Sequence, residues 1–193
     1  MLASISLQQA RALHAVTLIL GGVRSGKSSY AENLVCMASQ GRAVYLATAD
    51  ASQAQADPEM CARIEHHRSR RGGDWTTIEE PLALADALLE KASPETPVLV
   101  DCLTLWLSNL MDAGRDVEVE INTLETILPR LAGAVVFISN EVGLGIVPEN
   151  ATARAFRDHV GLLHQRLTAC ADRVVFMVAG LPSVLKDPTL VKE

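Results

Sequence analysis

Aromatic residues are scarce in this chain: two tryptophans, two tyrosines and three phenylalanines among 193 residues. Because 49% of the residues are nevertheless hydrophobic, the core has to be built from Val, Leu, Ile and Ala, the composition of sheets covered on both faces by helices. An excess of basic charge is also missing. The formal net charge is −6, which argues against nucleic acid, since a phosphate backbone is normally met by a basic face that displaces condensed counterions. Cysteine is sparse, with Cys36, Cys61, Cys102 and Cys170 far apart, no CxxC pair and no histidine at metal-ligand spacing, a pattern that reads as buried free thiols. No apolar run approaches the roughly 20 residues that cross a bilayer, so no membrane span is expected. The head MLASISLQQARALHA is mixed, and the apolar run after it stops at Gly21, so it lacks the apolar stretch of roughly 7–15 residues of a secretory signal. A cytoplasmic protein is expected. There is no internal repeat and no low-complexity tract, and the length suits one domain; residues 1–14 read as an N-terminal extension and 15–193 as the catalytic domain.

What is present is a regular alternation. Short runs rich in β-branched residues occur at Val16–Leu20, Val44–Ala47, Val98–Val100, Val135–Ser139 and Val174–Val178, and predict five buried strands. Between them lie helix-compatible stretches at Ser28–Gln40, Pro58–Arg71, Leu82–Lys91, Leu103–Met111, Val117–Leu131 and Ala151–Ala171. Strand then helix, repeated, means a parallel sheet with right-handed crossovers. Gly72–Asp74, Ser93–Pro97 and Ala113–Asp116 read as surface loops.

The first strand runs into GGVRSGKS, residues 21–28. Gly21, Gly26, Lys27 and Ser28 satisfy the G-x-x-x-x-G-K-[ST] pattern in the context it requires, after a strand and at the opening of a helix. Glycines let main-chain N–H groups turn inward around phosphate oxygens, and the helix N-terminus adds partial positive charge. Lys27 is expected to bridge β- and γ-phosphates and Ser28 to ligate Mg²⁺. A second metal ligand should come from the end of a neighbouring strand, and Asp101 directly follows Val98–Val100. Asp101 could instead cap the helix that starts at Leu103, and both roles could hold at once. The expected fold class is α/β: a P-loop NTPase-like (RecA-like) mostly parallel sheet flanked by helices, in a single domain.

The segment Asp57–Arg71, DPEMCARIEHHRSRR, has Pro58 at a first-turn position and ends before Gly72 and Gly73, the start and stop signals of a helix. Met60, Ile64 and His67 form its apolar stripe, while Glu59, Arg63, His66 and Arg70 fall on another face. His66 therefore projects beside arginines. Guanidinium charges disfavour the imidazolium and keep a histidine nucleophilic, and they can hold phosphate oxygens as charge builds. From spacing alone, a solvated face whose histidine does nothing is the simpler reading.

Together these strings resemble the bifunctional adenosylcobinamide kinase / adenosylcobinamide-phosphate guanylyltransferases of cobalamin biosynthesis. The resemblance runs over nearly the whole chain after the first 14 residues and includes GGVRSGKS, YLATAD (Tyr45–Asp50), EMCARIEHHRSRR (Glu59–Arg71), WTTIE (Trp75–Glu79), VDCLTLWLSNL (Val100–Leu110) and NEVGLGIVPEN (Asn140–Asn150). It implies two reactions. ATP or GTP gives its γ-phosphoryl group to the hydroxyl on the aminopropanol arm of adenosylcobinamide; then His66 attacks the α-phosphorus of GTP, expels pyrophosphate and carries GMP to adenosylcobinamide phosphate, giving adenosylcobinamide-GDP. It also implies nucleotide contacts from Gly21, Gly22, Val23, Arg24, Ser25, Gly26, Lys27 and Ser28, from Ala47, Thr48 and Ala49, from His67, Arg68, Ser69 and Arg70, and from Glu79 and Asp101. Lys27 joins His66 as catalytic, Ser28 and Asp101 as metal ligands, and a homotrimer is the implied assembly.

Two reactions at different phosphorus atoms of one nucleotide require the His66 helix to be positioned near the α-phosphate, with Gly72 and Gly73 as candidate hinges. NEVGLGIVPEN lies at the carboxyl edge of the sheet, where open α/β proteins bind ligands; it reads either as a ligand-approaching loop with Gly143 and Gly145, from which Arg154 or Arg157 could reach a corrinoid phosphate, or as a turn capped by Asn150. His164 stands where the resemblance leads one to expect Asn. The competing functions are a single-function P-loop kinase with a silent His66 and a GTP-dependent switch. The switch is disfavoured because no N-K-x-D string occurs and Asp101 is followed by Cys102, Leu103 and Thr104 rather than by a glycine three residues on.

Overall fold

The computed structural model describes residues 13–49 and 75–190. Its strands are β1 (Val16–Gly21), β2 (Ala43–Ala47), β3 (Trp75–Glu79), β4 (Val98–Asp101), β5 (Val135–Asn140), β6 (Arg173–Val178) and β7 (Leu181–Lys186), and its helices are α1 (Lys27–Ser39), α2 (Leu84–Lys91), α3 (Leu103–Asp112), α4 (Val117–Ile127) and α5 (Ala151–Cys170). The strands form one sheet in the order β3-β2-β4-β5-β1-β6-β7. β1 to β6 run parallel and β7 is antiparallel to β6.

All five strands expected from apolar runs are present. The sheet has two more, and both lie at its edges. β3 carries three polar, exposed residues of five, Thr76, Thr77 and Glu79, because an edge strand needs little apolar surface. β7 carries Pro182, which an edge tolerates because no partner needs its missing N–H. It returns from β6 through Ala179 and Gly180, whose φ values of +51° and +82° are those of a two-residue hairpin turn with the twist of the strands it joins. The helix expected over Val117–Leu131 ends at Ile127 and continues as a 3₁₀ turn, Leu128–Arg130, that contains Pro129. The helix expected over Pro58–Arg71 and the loop Gly72–Asp74 lie outside the described residues.

The core follows from the period of two along each strand. Leu18, Leu20, Val98, Val100, Val135 and Phe137 face a large cluster with Leu88, Trp106, Leu107, Leu124 and Leu163 from α2 to α5. The alternate residues Ile19, Leu99, Val136 and Ile138 face a smaller cluster with Ala31 and Val35 of α1. Burying each Leu, Ile, Val or Phe contributes roughly 1.5–3 kcal/mol against conformational entropy of similar total size. Trp106 is buried with its indole N–H donating to Leu82 O at 2.9 Å, so its polar atom is satisfied inside the core.

Leu13 and His14, at the end of the expected extension, pack onto this frame: Leu13 against the smaller cluster, and His14 Nε2 at 3.7 Å from Asp187 Oδ2. The thiols depart from the expectation of burial. Cys36 is exposed and Cys102 and Cys170 are half-buried, all three free; Cys36 lies on the outer side of α1, where none of the described residues packs over it. Cys61 is outside the described residues.

Helix α1 leaves β1 toward one face, while α5, after β5, packs on the other. β1 and β5 are neighbours, with Gly21 opposite Asn140. Two adjacent parallel strands whose connections depart to opposite faces open a crevice at their carboxyl ends, where sheets of this kind bind ligands.

Candidate active site

The loop between β1 and α1 is built on two backbone positions that need glycine. Gly21 has φ +151°, and a Cβ there would stand 2.5 Å from Met177 O and 2.7 Å from Ser25 Oγ. Gly26 has φ +96°, and a Cβ on it would lie 3.2 Å from Gly180 Cα. The β6–β7 turn thus backs the loop directly, and Gly180 N–H donates to Ser25 O at 2.9 Å. Gly26 is the N-cap of α1 and offers no side chain to cap it, so the first-turn N–H groups look into the loop, where they attract an anion.

Lys27 is buried, and its Nζ donates to Gly22 O at 2.7 Å across the loop. Burial lowers its ammonium below the ordinary lysine value, while Cys102 and Asp101 pull the other way. A cation that the fold partly desolvates gains when a phosphate oxygen supplies the missing negative charge. Ser25 Oγ is buried without a hydrogen-bond partner among the described residues, a polar atom that a phosphate oxygen at this position would satisfy.

Asp101 ends β4, and its Oδ2 accepts from Ser28 Oγ at 3.1 Å and from Tyr45 Oη at 3.0 Å. Both expected metal ligands therefore meet. A hydroxyl and a carboxylate are hard oxygen donors of the kind Mg²⁺ takes. Asp101 does not cap α3, whose N-cap is Cys102; the carboxylate is turned toward Ser28 instead. The Cys102 thiol is pushed above its ordinary value by burial first and Asp101 second, which disfavours the thiolate a nucleophile would need.

Ala47 ends β2, and Thr48 and Ala49 follow it along the same edge. Thr48 N–H donates to Asp101 O at 3.2 Å; its hydroxyl donates to Cys102 O at 2.8 Å and accepts from Cys102 N at 2.9 Å. Asn109 of α3 holds Thr48 O at 2.8 Å. Glu79, at the end of β3, stands opposite Ala47 in register. The sheet thus gathers residues 21–28, Ala47–Ala49, Glu79 and Asp101 on one edge. His66, His67, Arg68, Ser69 and Arg70 lie outside the described residues.

Three contributors here escape a reading of spacing. Tyr45 reaches Asp101 because β2 and β4 pair Tyr45 with Leu99 and Ala47 with Asp101. Asn140 Nδ2 donates to Thr104 Oγ1 at 3.2 Å, which sits 3.2 Å from Cys102 Sγ. His164 is buried, its Nε2 2.7 Å from Ser139 Oγ and its Nδ1 3.5 Å from Glu141 Oε2. Burial lowers its imidazole below the ordinary value, with Glu141 opposing.

A family model described as cobinamide kinase / cobinamide phosphate guanyltransferase matches residues 17–185. Over 176 residues, 90% of this chain and 98% of the relative, the chain is 48% identical to the bifunctional adenosylcobalamin biosynthesis protein CobP of Pseudomonas aeruginosa. Over 184 residues, 88% of this chain and 98% of the relative, it is 38% identical to CobU of Escherichia coli, described in the same words. Among solved structures, a KaiC-like protein from the hyperthermophilic archaeon Pyrococcus horikoshii is similar with a TM-score of 0.44 at 13% identity, covering 85% of this chain and 71% of that one.

Proposed function

The chain belongs to the cobinamide kinase / cobinamide phosphate guanyltransferase family, and from that premise we propose which of its residues perform the two transfers. The protein is a transferase of cobalamin biosynthesis, with adenosylcobinamide kinase and adenosylcobinamide-phosphate guanylyltransferase activities. The observation that carries the assignment is the meeting of Ser28 and Asp101 at 3.1 Å beside a lysine folded over its own loop.

In the kinase reaction, the triphosphate of ATP or GTP lies along residues 21–28. The N–H groups at the start of α1 hold the β-phosphate, and Lys27 leaves Gly22 O to bridge β and γ oxygens. Ser28 and Asp101 would hold Mg²⁺, which would supply positive charge against the phosphoryl group. The aminopropanol hydroxyl of adenosylcobinamide forms the new P–O bond and the nucleoside diphosphate leaves. In the guanylyl transfer, the His66 imidazole attacks the α-phosphorus of GTP and pyrophosphate leaves. A phosphate oxygen of adenosylcobinamide phosphate then displaces the imidazole. Ala47–Ala49, Glu79 and His67–Arg70 hold the nucleotide. A cytoplasmic homotrimer completes the reading.

Incubation with GTP labelled on the α-phosphorus tests it. Acid-labile label should appear on the wild-type protein, be absent with γ-labelled GTP, and be lost in His66→Ala. A wild-type protein that phosphorylates adenosylcobinamide but never takes up the α-label would be a single-function kinase, and the assignment of His66 would be withdrawn.

A further inference from the structure

Glu141 N–H donates to Gly21 O at 3.0 Å, so the segment after β5 starts in contact with the first residue of the phosphate loop. Val142 then packs against the larger core cluster. Beyond it, Leu144 is 83% exposed, Ile146 97% and Val147 62%. Aliphatic groups on a loose tether would carry no message, but this segment is anchored at both ends. The Glu141 carboxylate accepts from Gly143 N–H and faces His164. Arg157 Nη2 donates to Gly143 O at 3.1 Å, and Arg154 Nη1 to Pro148 O at 3.0 Å. Asn150 then caps α5 by accepting from Thr152 N and Ala153 N.

The two glycines of the segment differ. A Cβ on Gly143 would stand 2.8 Å from Glu141 Oε1, so the anchor itself needs that glycine. Among the described residues, a Cβ on Gly145 would meet nothing within 4 Å. Neither packing nor a left-handed backbone explains its missing side chain. What the absence provides is open ground between Leu144 and Ile146, useful only to something that comes close.

We propose that Leu144, Ile146 and Val147 form the platform that receives the corrin ring of adenosylcobinamide, with Gly145 kept bare so that the ring can lie against the main chain. This rests on the function proposed above. The acceptor must reach the γ-phosphate from the carboxyl edge of the sheet, and the platform adjoins that edge through Glu141 and Gly21. A corrin ring is broad and edged with methyl groups, and covering it with aliphatic side chains releases ordered water without desolvating a charge. A nucleotide offers no comparable surface.

The test uses adenosylcobinamide as varied substrate at saturating nucleotide, with two proteins: the double variant Leu144→Ser/Ile146→Ser, and Gly145→Val. Both should raise KM for adenosylcobinamide by at least about tenfold, the scale of losing two aliphatic contacts or blocking the approach. KM for the nucleotide, and self-labelling by α-labelled GTP without corrinoid, should stay at wild-type values. An unchanged corrinoid KM, or nucleotide and corrinoid KM values rising by one factor, overturns the platform. So does a changed sedimentation coefficient with an unchanged KM, which would give the patch to a contact between copies of the chain. Failure of the wild type to self-label would count against His66 alone, since corrinoid binding, followed by visible absorption in equilibrium dialysis, still reports on the platform.

Discussion

Replacing Gly21 by alanine places one methyl group where the fold has no room. Its Cβ would stand 2.5 Å from Met177 O, a main-chain atom of the neighbouring β6 that cannot turn aside, and 2.7 Å from Ser25 Oγ. Forcing an extra carbon into a packed site costs about 1–3 kcal/mol, and holding alanine at a φ of +151° costs on the order of 1–3 kcal/mol more. The sum, about 2–6 kcal/mol, corresponds to a Tm lowered by roughly 4–24 °C for a chain of this size. Gly22→Ala is the internal control, because among the described residues a Cβ there meets nothing within 4 Å; its Tm should stay within about 2 °C of the wild type. Thermal unfolding followed by circular dichroism reads both variants, and binding of a fluorescent GTP analogue reports the loop itself. Gly21→Ala should lose GTP affinity as well as stability, since relief of the clash moves Ser25 and the start of α1. A Gly21→Ala protein with wild-type Tm and affinity would refute the reasoning, as would a Gly22→Ala protein that melts equally early.

Asp101→Asn removes a charge but little volume; we expect kcat/KM of the kinase reaction to fall at least about a hundredfold, with a higher Mg²⁺ requirement in activity titrations. Trp106→Ala empties a buried indole site and should lower the unfolding free energy in urea by about 3–5 kcal/mol. His164 is held below its ordinary value by burial, so near and below about pH 6.5 the unfolded chain binds the proton more readily than the native one. Stability should therefore fall as pH drops through this range, by up to about 1.4 kcal/mol per pH unit from this one group. His164→Asn should flatten that slope, and parallel urea-midpoint profiles for the two proteins from pH 7 to 5 would contradict it.

The central strands and the cradle were legible because each is written in contiguous residues. β1 is a run of residues buried on both faces, and residues 21–28 carry their function in fixed offsets. The meeting of Ser28 with Asp101 was also accessible, because both roles follow from position at the end of a strand or the start of a helix. The edges were not. β3 and β7 bury too little surface to leave an apolar run, and Pro182 argues locally against a strand. Tyr45 looks like one more core residue until the pairing of β2 with β4 brings its hydroxyl to Asp101. His164 and Ser139 are 25 residues apart, and only the packing of α5 on the sheet makes them partners. The anchoring of the Gly143–Val147 segment likewise depends on three side chains arriving from α5.

The turn between β6 and β7 leans on Ser25 and Gly26 from behind, which makes the last hairpin a brace for the mouth of the nucleotide site. Losing the contact of that turn would slacken the grip on triphosphate through Ser25 and Gly26. Damage at the margin of the sheet would then surface as a defect at the nucleotide site.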